Sequence, residues 1–373
     1  MAAEPPAAAD ATDVRAAEPP AATREPHDVR AAEPPASESI AATALDALKD
    51  LPPGINGVAL GCAAFANLLH ALAPSPWDPA VLVAAAFSAT LWLLFLVSRL
   101  AAPHRILEEA TKPRSFFPYG AWEMAFAFSW ARLLPAHCAI GAYAAGLLQL
   151  IILIAFLKAC WKDGAPPEPY WNPVCMSCAA TTIVAAPCLG SRHWLPMGSF
   201  GLALVTCLMI APPEAYAVLR DAKVSPHADV ALLAAPCSIS AAAFAAMTAS
   251  REIVLWTPAW DAWVGGVLAG LATLYAFFTI YAVRRRRATI KPFSLVWATM
   301  TFPSAITCIV WLQYAPYLAR RRRVWPLAYL ARVVAVVDLV FIFAVVVGCG
   351  RLAVDEFLRR RASSSELSLS RVV

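Results

Sequence analysis

Few residues in this chain can do chemistry, and most of them sit inside long apolar stretches. Glu123 is a carboxylate in the middle of one such stretch; in a bilayer that placement costs ~2.5–3.5 kcal/mol on insertion scales, which makes it a functional candidate by default. Two roles stay open for it: a structural one, as a paired or protonated group, and a lumen-facing one in proton transfer or gating. Asp338, in the last apolar stretch and six residues from Arg332, reads as a tether between helices. Cys175-x-x-Cys178 could bind metal or do redox chemistry, but no second Cys/His pair occurs at ligand spacing, so two buried thiols on one helix face is the expected state. His27, His70, His104, His137, His193 and His227 fall in the N-terminal region or near the ends of apolar stretches, which disfavours a haem protein or a membrane-embedded enzyme. No catalytic residue, metal or cofactor is expected. The remaining polar chemistry is hydroxyl: Thr181, Thr182, Ser238, Ser240, Thr299 and Thr301, side chains that could line a lumen and hold an ion weakly.

The elements that must position these residues follow from composition. Of 373 residues 60% are apolar, only 15% are charged, and the mean hydropathy is +0.61, far from the balance of a water-soluble domain. The net charge of +5 comes from short basic runs between apolar segments, without the aromatic interleaving of a nucleic-acid binder. Residues 1–48 repeat Ala-Ala-Glu-Pro-Pro at Ala2, Ala16 and Ala31; a segment so rich in proline buries no core and is expected to be a disordered cytosolic tail. The ten cysteines lie within or at the ends of apolar segments and are expected to be small buried residues rather than a disulfide framework.

From Leu51 onward ten apolar stretches follow, at about 52–72, 80–101, 116–135, 138–158, 173–190, 195–218, 229–249, 259–283, 293–314 and 325–349. Most are close to the ~20 residues that cross a ~30 Å hydrocarbon layer. The expected fold is therefore all-α and integral to a membrane, with a channel domain over 49–351 and a cytosolic tail over 352–373. Placing both termini in the cytosol puts eighteen Lys and Arg residues on the inner side and seven on the outer, four of those in the run Arg320 to Arg323; this bias supports an even number of spans. The outer run is either an anion-attracting patch or the sign of a misplaced span.

Proline separates the stretches into two sets. Every odd-numbered stretch carries one within it or at its start, including Pro118, Pro187, Pro236 and Pro303. A proline inside a helix frees a backbone carbonyl, which in lipid needs neighbours or water to satisfy it. The odd helices are thus expected to be kinked and internal, enclosing a narrow lumen, and the greasier even ones to face lipid, giving five helical hairpins. With no Lys or Arg in the middle of any odd stretch, attraction for an anion must come from hydroxyls, amide dipoles and basic mouths such as Arg284 to Arg287. Weak binding permits fast exit, which favours a channel for small inorganic anions over a tightly coupled carrier.

Several motifs carry a family resemblance. Lys291-Pro-Phe-Ser-Leu-Val-Trp-Ala-Thr-Met-Thr-Phe-Pro303 with Gln313-Tyr314, Asn172-Pro173 running to Ala185-Ala186, Leu233-Ala-Ala-Pro236 within 227–244, and Leu107-Glu-Glu109 through Phe116-Phe117 to Ser129-Trp130 together resemble the plant slow-type anion channels, relatives of the bacterial tellurite-resistance and dicarboxylate transporters. The resemblance covers about 51–350. It implies a ten-helix subunit with a five-helix pore passing chloride or nitrate, a homotrimer with one pore per subunit in the plasma membrane, and a gate at Phe302, which occupies the matching Thr-Phe-Pro. The chain departs from the family at Ala298 and Met300, where a Trp and a Tyr are usual, and at Asn56, where an aromatic is expected. A short N-terminal tail, with Ser37 and Ser39 as its serines, is similar to the subgroup without a long kinase-regulated domain. Arg359-Arg-Arg-Ala-Ser363 resembles a basophilic kinase site, although such strings also arise by chance in tails. The rival within the same fold is a dicarboxylate or malate carrier, proton-coupled through Glu123; a non-transporting polytopic protein is the rival outside it.

Overall fold

The computed structural model describes residues 48–49, 51–72, 78–164, 171–220, 232–249, 258–285, 298–322 and 325–370. The N-terminal repeats and the Ser37 and Ser39 expectation lie outside the described residues, as do the side chains of Thr299 and Ser363. Among the described residues there is no strand, and ten helices of 15 residues or more follow one another. They are α1 (Ile55–Leu72), α2 (Asp78–Ala101), α3 (Phe117–Leu133), α4 (Cys138–Asp163), α5 (Asn172–Leu189), α6 (Trp194–Arg220), α7 (Ala235–Ala249), α8 (Pro258–Arg285), α9 (Ala298–Arg322) and α10 (Trp325–Ser370). A seven-residue helix, Pro103–Glu109, lies between α2 and α3.

Seven of the ten, α1, α2, α4, α5, α6, α8 and α10, contain a stretch long and apolar enough to cross a membrane. Large apolar side chains stand exposed along the even-numbered helices, among them Val83, Leu147, Leu208, Phe277 and Val340. Such a surface needs acyl chains rather than water around it, so the chain is built as a multi-pass membrane protein. The other three helices depart from that rule for a local reason. α3 has 17 residues and is buried almost all round, Ala121 to Ser129 without a break; a helix wrapped by protein on every side has no lipid-facing stripe to make it greasy. α7 is short at 15 residues, and α9 ends in Arg320, Arg321 and Arg322 while its first turn carries Thr299 and Thr301.

Residue pairs along the helices give their directions. Asn56 meets Pro118 and, farther on, Asn67 meets Arg132, so α1 and α3 run parallel. Gly120 lies against Pro173 and Thr181 against Glu123, which makes α3 and α5 parallel. Asn172 with Leu232, Ser238 with Thr307, and Gly61 with Thr301 carry the same direction through α7 and α9 and back to α1. The five odd-numbered helices thus pack each against the next, and the last returns to the first. The even helices run the other way, as shown by Ser88 with Ala59, Thr182 with Pro196, and Trp311 with Thr273. Each fills the outside groove between two odd neighbours.

Three expectations need correction. Pro118 and Pro236 occupy the first turns of α3 and α7, where a proline costs no intrahelical hydrogen bond and starts a helix instead of kinking it. Of the four prolines expected to kink the inner helices, Pro303 and Pro187 lie inside theirs, and Pro187 is in the exposed last turn of α5. The cysteines are not all isolated thiols: Cys138 and Cys188 form a disulfide joining the start of α4 to the end of α5. Finally, α10 runs as one helix of 46 residues through Ser370, about 69 Å at ~1.5 Å per residue, past the boundary at 351 where a tail was expected.

Candidate functional site

A small cavity lies inside the cycle of odd helices, lined by all five. Gly57 and Leu60 come from α1, Phe117, Ala121 and Met124 from α3, and Pro173 and Met176 from α5. Leu232 comes from the turn just before α7, Ala235 from its first residue, and Phe302 from α9. Most of these positions lie in the first two turns of their helices, so five N-termini converge on one end of the bundle. Each parallel helix carries about +0.5 of an elementary charge there, on amide groups without intrahelical partners. The cavity walls are apolar, so the helix ends supply the potential while no side chain binds tightly.

Phe302 is 3% exposed. Its ring rests against Phe128 of α3, centroid to centroid 6.1 Å at 39°, and borders the cavity. Pro303, buried next in sequence, removes an amide N–H from α9 at this level, and the Thr307 hydroxyl donates to its carbonyl at 2.7 Å. The ring therefore sits on a stretch of helix with one rung missing from its hydrogen-bond ladder.

The hydroxyls expected to line the lumen are placed elsewhere. Thr181 donates to Glu123 Oε1 at 3.4 Å. Thr182 turns outward, donating to the Cys178 and Pro196 carbonyls. Ser238 pairs with Thr307 at 2.7 Å between α7 and α9, Thr301 packs against Gly61 of α1, and Ser240 is buried beside Cys207 of α6. None of these five borders the cavity. Hydroxyls in a low-dielectric interior find carbonyls and one another, and those partners lie in helix contacts, not against an apolar wall.

Glu123 is fully buried in α3; beyond the Thr181 hydroxyl on Oε1, its Oε2 has no partner. Asp338 of α10 faces Ser304 and Cys308 of α9, not Arg332, with Oδ2 unpartnered. Cys175 and Cys178 are both buried, and Cys178 accepts from Gln149 of α4; among the described residues no cluster of Cys, His and acids is placed to hold a metal.

Three polar features lie outside the set of residues expected to form the site. Asn56, where an aromatic was expected, donates to the Pro118 carbonyl at 3.0 Å and ties the starts of α1 and α3. Asn172 donates to both Glu214 of α6 and the Leu232 carbonyl, at 2.8 and 3.1 Å. Arg99, 3% exposed, makes a bidentate pair with Glu109 at 3.1 and 2.9 Å. Tyr119 of α3 donates to the same carboxylate, and the guanidinium lies 4.4 Å over the Phe95 ring. An acid within the apolar stretch 195–218 was the available signal for Glu214; nothing in the spacing announces the other partners. Compared with known proteins, the chain matches no family model and no curated protein.

Proposed function

We propose that this chain is a channel for small inorganic anions, chloride and nitrate, with ten membrane-spanning helices arranged as five hairpins. The odd helices enclose the pathway, the even ones face lipid, and Phe302 closes it. The observation that carries this reading is the convergence of five parallel helix N-termini on an apolar cavity bordered by Phe302. An anion leaving water needs positive potential without a tight ligand, and helix ends supply it. A narrow apolar constriction with an aromatic ring across it excludes water and ions until the ring turns. The resemblance to the slow-type anion channels in Thr301-Phe302-Pro303 and Asn172-Pro173 points the same way and brings with it a homotrimer in the plasma membrane and a regulatory kinase acting at Ser363.

The Cys138–Cys188 disulfide supports the orientation. Both cysteines lie at the end of the bundle opposite the converging N-termini. Disulfides persist in oxidising compartments, which favours that end facing away from the cytosol, as the distribution of Lys and Arg also does. Both termini are then cytosolic.

Whole-cell recording in oocytes, in chloride, nitrate and malate with no proton gradient, tests the proposal. Currents carried by chloride and nitrate under those conditions support a channel. Malate transport that vanishes without a proton gradient would establish the carrier instead.

A further inference from the structure

Glu214 is a buried acid that the proposed pathway does not use. It stands in α6 directly after Pro212 and Pro213, two residues without amide protons that leave the Leu208 and Met209 carbonyls without their intrahelical donors. An interrupted helix next to a carboxylate at membrane depth recurs where transport proteins hold ions. The side chain is 1% exposed; Oε2 accepts from Asn172 Nδ2 at 2.8 Å and Oε1 has no partner. The other titratable groups facing it are thiols and a phenol. Cys175 comes from α5, Cys207 from α6 itself with Cys237 of α7 behind it at 3.9 Å, and Tyr275 from α8; Cys160 of α4 lies behind Cys175. Among the described residues no cation faces it.

The site is one residue from the pathway. Asn172 spends its two amide protons on Glu214 and on the Leu232 carbonyl, while Pro173 and Leu232 border the cavity. Whatever happens at the carboxylate therefore reaches the start of α7 through one carboxamide.

We infer that Glu214, the Asn172 carboxamide and the proline-broken turn of α6 form a proton-binding site at the end of the bundle where the inner helices begin. The carboxylate takes up one proton to become a carboxylic acid and releases it to the same side. An ionised Glu214 accepts from Asn172 and holds the Leu232 carbonyl in place through it; a protonated one is a weaker acceptor, loosens that clamp and frees the start of α7. Conduction thereby becomes sensitive to pH on that side. The control of flux rests on the channel reading, whereas proton uptake does not.

The test has two arms on the full-length protein. In the first, purified protein is titrated in D2O and the infrared C=O stretch of a protonated carboxyl is followed. A band that titrates in the wild type, is lost in Glu214→Gln and is retained in Glu123→Gln is expected. A wild type with no titrating band, or a band that persists unchanged in Glu214→Gln, overturns the site. In the second, anion current in inside-out patches is measured from pH 5.5 to 8.5 on the cytosolic face. A several-fold change in the wild type that is flattened in both Glu214→Gln and Asn172→Ala is expected, and an equal pH dependence in all three overturns the coupling. Absence of current in every protein would tell against the channel reading, and the infrared arm would still decide the proton site.

Discussion

A phenyl ring resting on Phe128 and bordering an apolar cavity is held by dispersion and burial alone, since Phe302 has no polar atom to anchor it. Turning it away costs only those contacts, as a gate requires. Two other carboxylates, Glu123 and Glu109, are held in contrasting ways. Glu123 is met only by hydroxyls of the neighbouring inner helix, Thr181 at 3.4 Å and Ser177, and replacing Thr181 by Val should remove the first of these donors. Losing one such hydrogen bond costs ~0.5–1.5 kcal/mol, read as a lower midpoint in a thermal stability assay of detergent-solubilised protein; an unchanged midpoint would show that the 3.4 Å contact contributes nothing. Glu109 is the opposite case, with two donors from Arg99 and one from Tyr119. Glu109→Ala strands a guanidinium that is 3% exposed, a loss of about 3 kcal/mol, and the same assay should show it as the larger of the two shifts.

The helices approach one another where side chains are small. A Cβ on Gly120 would lie 2.6 Å from the Pro173 and Val174 backbone, and one on Gly61 would lie 2.7 Å from Thr301 Oγ1. The first contact is with backbone and cannot yield without moving α5, so Gly120→Ala should destabilise by ~1–3 kcal/mol and shift the elution of the solubilised protein toward aggregate. Gly61→Ala meets a side-chain hydroxyl and not backbone, so it should cost less. Much of this scale was legible in the sequence: each of the ten apolar stretches overlaps one of the ten long helices, because the length and greasiness that the bilayer demands are written locally. The prolines of α3 and α7 were misplaced within their helices because a proline in the first turn and one in the interior look alike until the helix start is known. The Cys138–Cys188 bond was invisible because its partners are 50 residues apart, and their meeting depends on how α4 packs on α5.

At the scale of the whole molecule the odd helices are parallel, in closed sequence order, and covered by antiparallel even ones. Polar groups expected on the lumen instead hold helices together, Ser238 to Thr307 and Thr182 to Pro196, as Ser129 and Ser88 also do between α3, α2 and α1. Sequence showed which residues were polar inside the bundle but not which way they turned, since one hydroxyl per turn suits a lumen and a helix contact equally. The orientation makes its own prediction. The Cys138–Cys188 bond should survive in intact cells and be cut by a membrane-impermeant reductant added outside, as read by the mobility shift of a maleimide-polymer adduct; a bond that forms only after lysis would place that face in the cytosol.

The claim on which the account rests is that Phe302 closes a continuous anion pathway through the five parallel helices. Chloride and nitrate efflux from liposomes holding equal amounts of wild-type and Phe302→Ala protein tests it most directly. The account predicts efflux several-fold faster from the alanine variant, with chloride and nitrate both affected; efflux unchanged or slower in a variant that elutes like the wild type would contradict it.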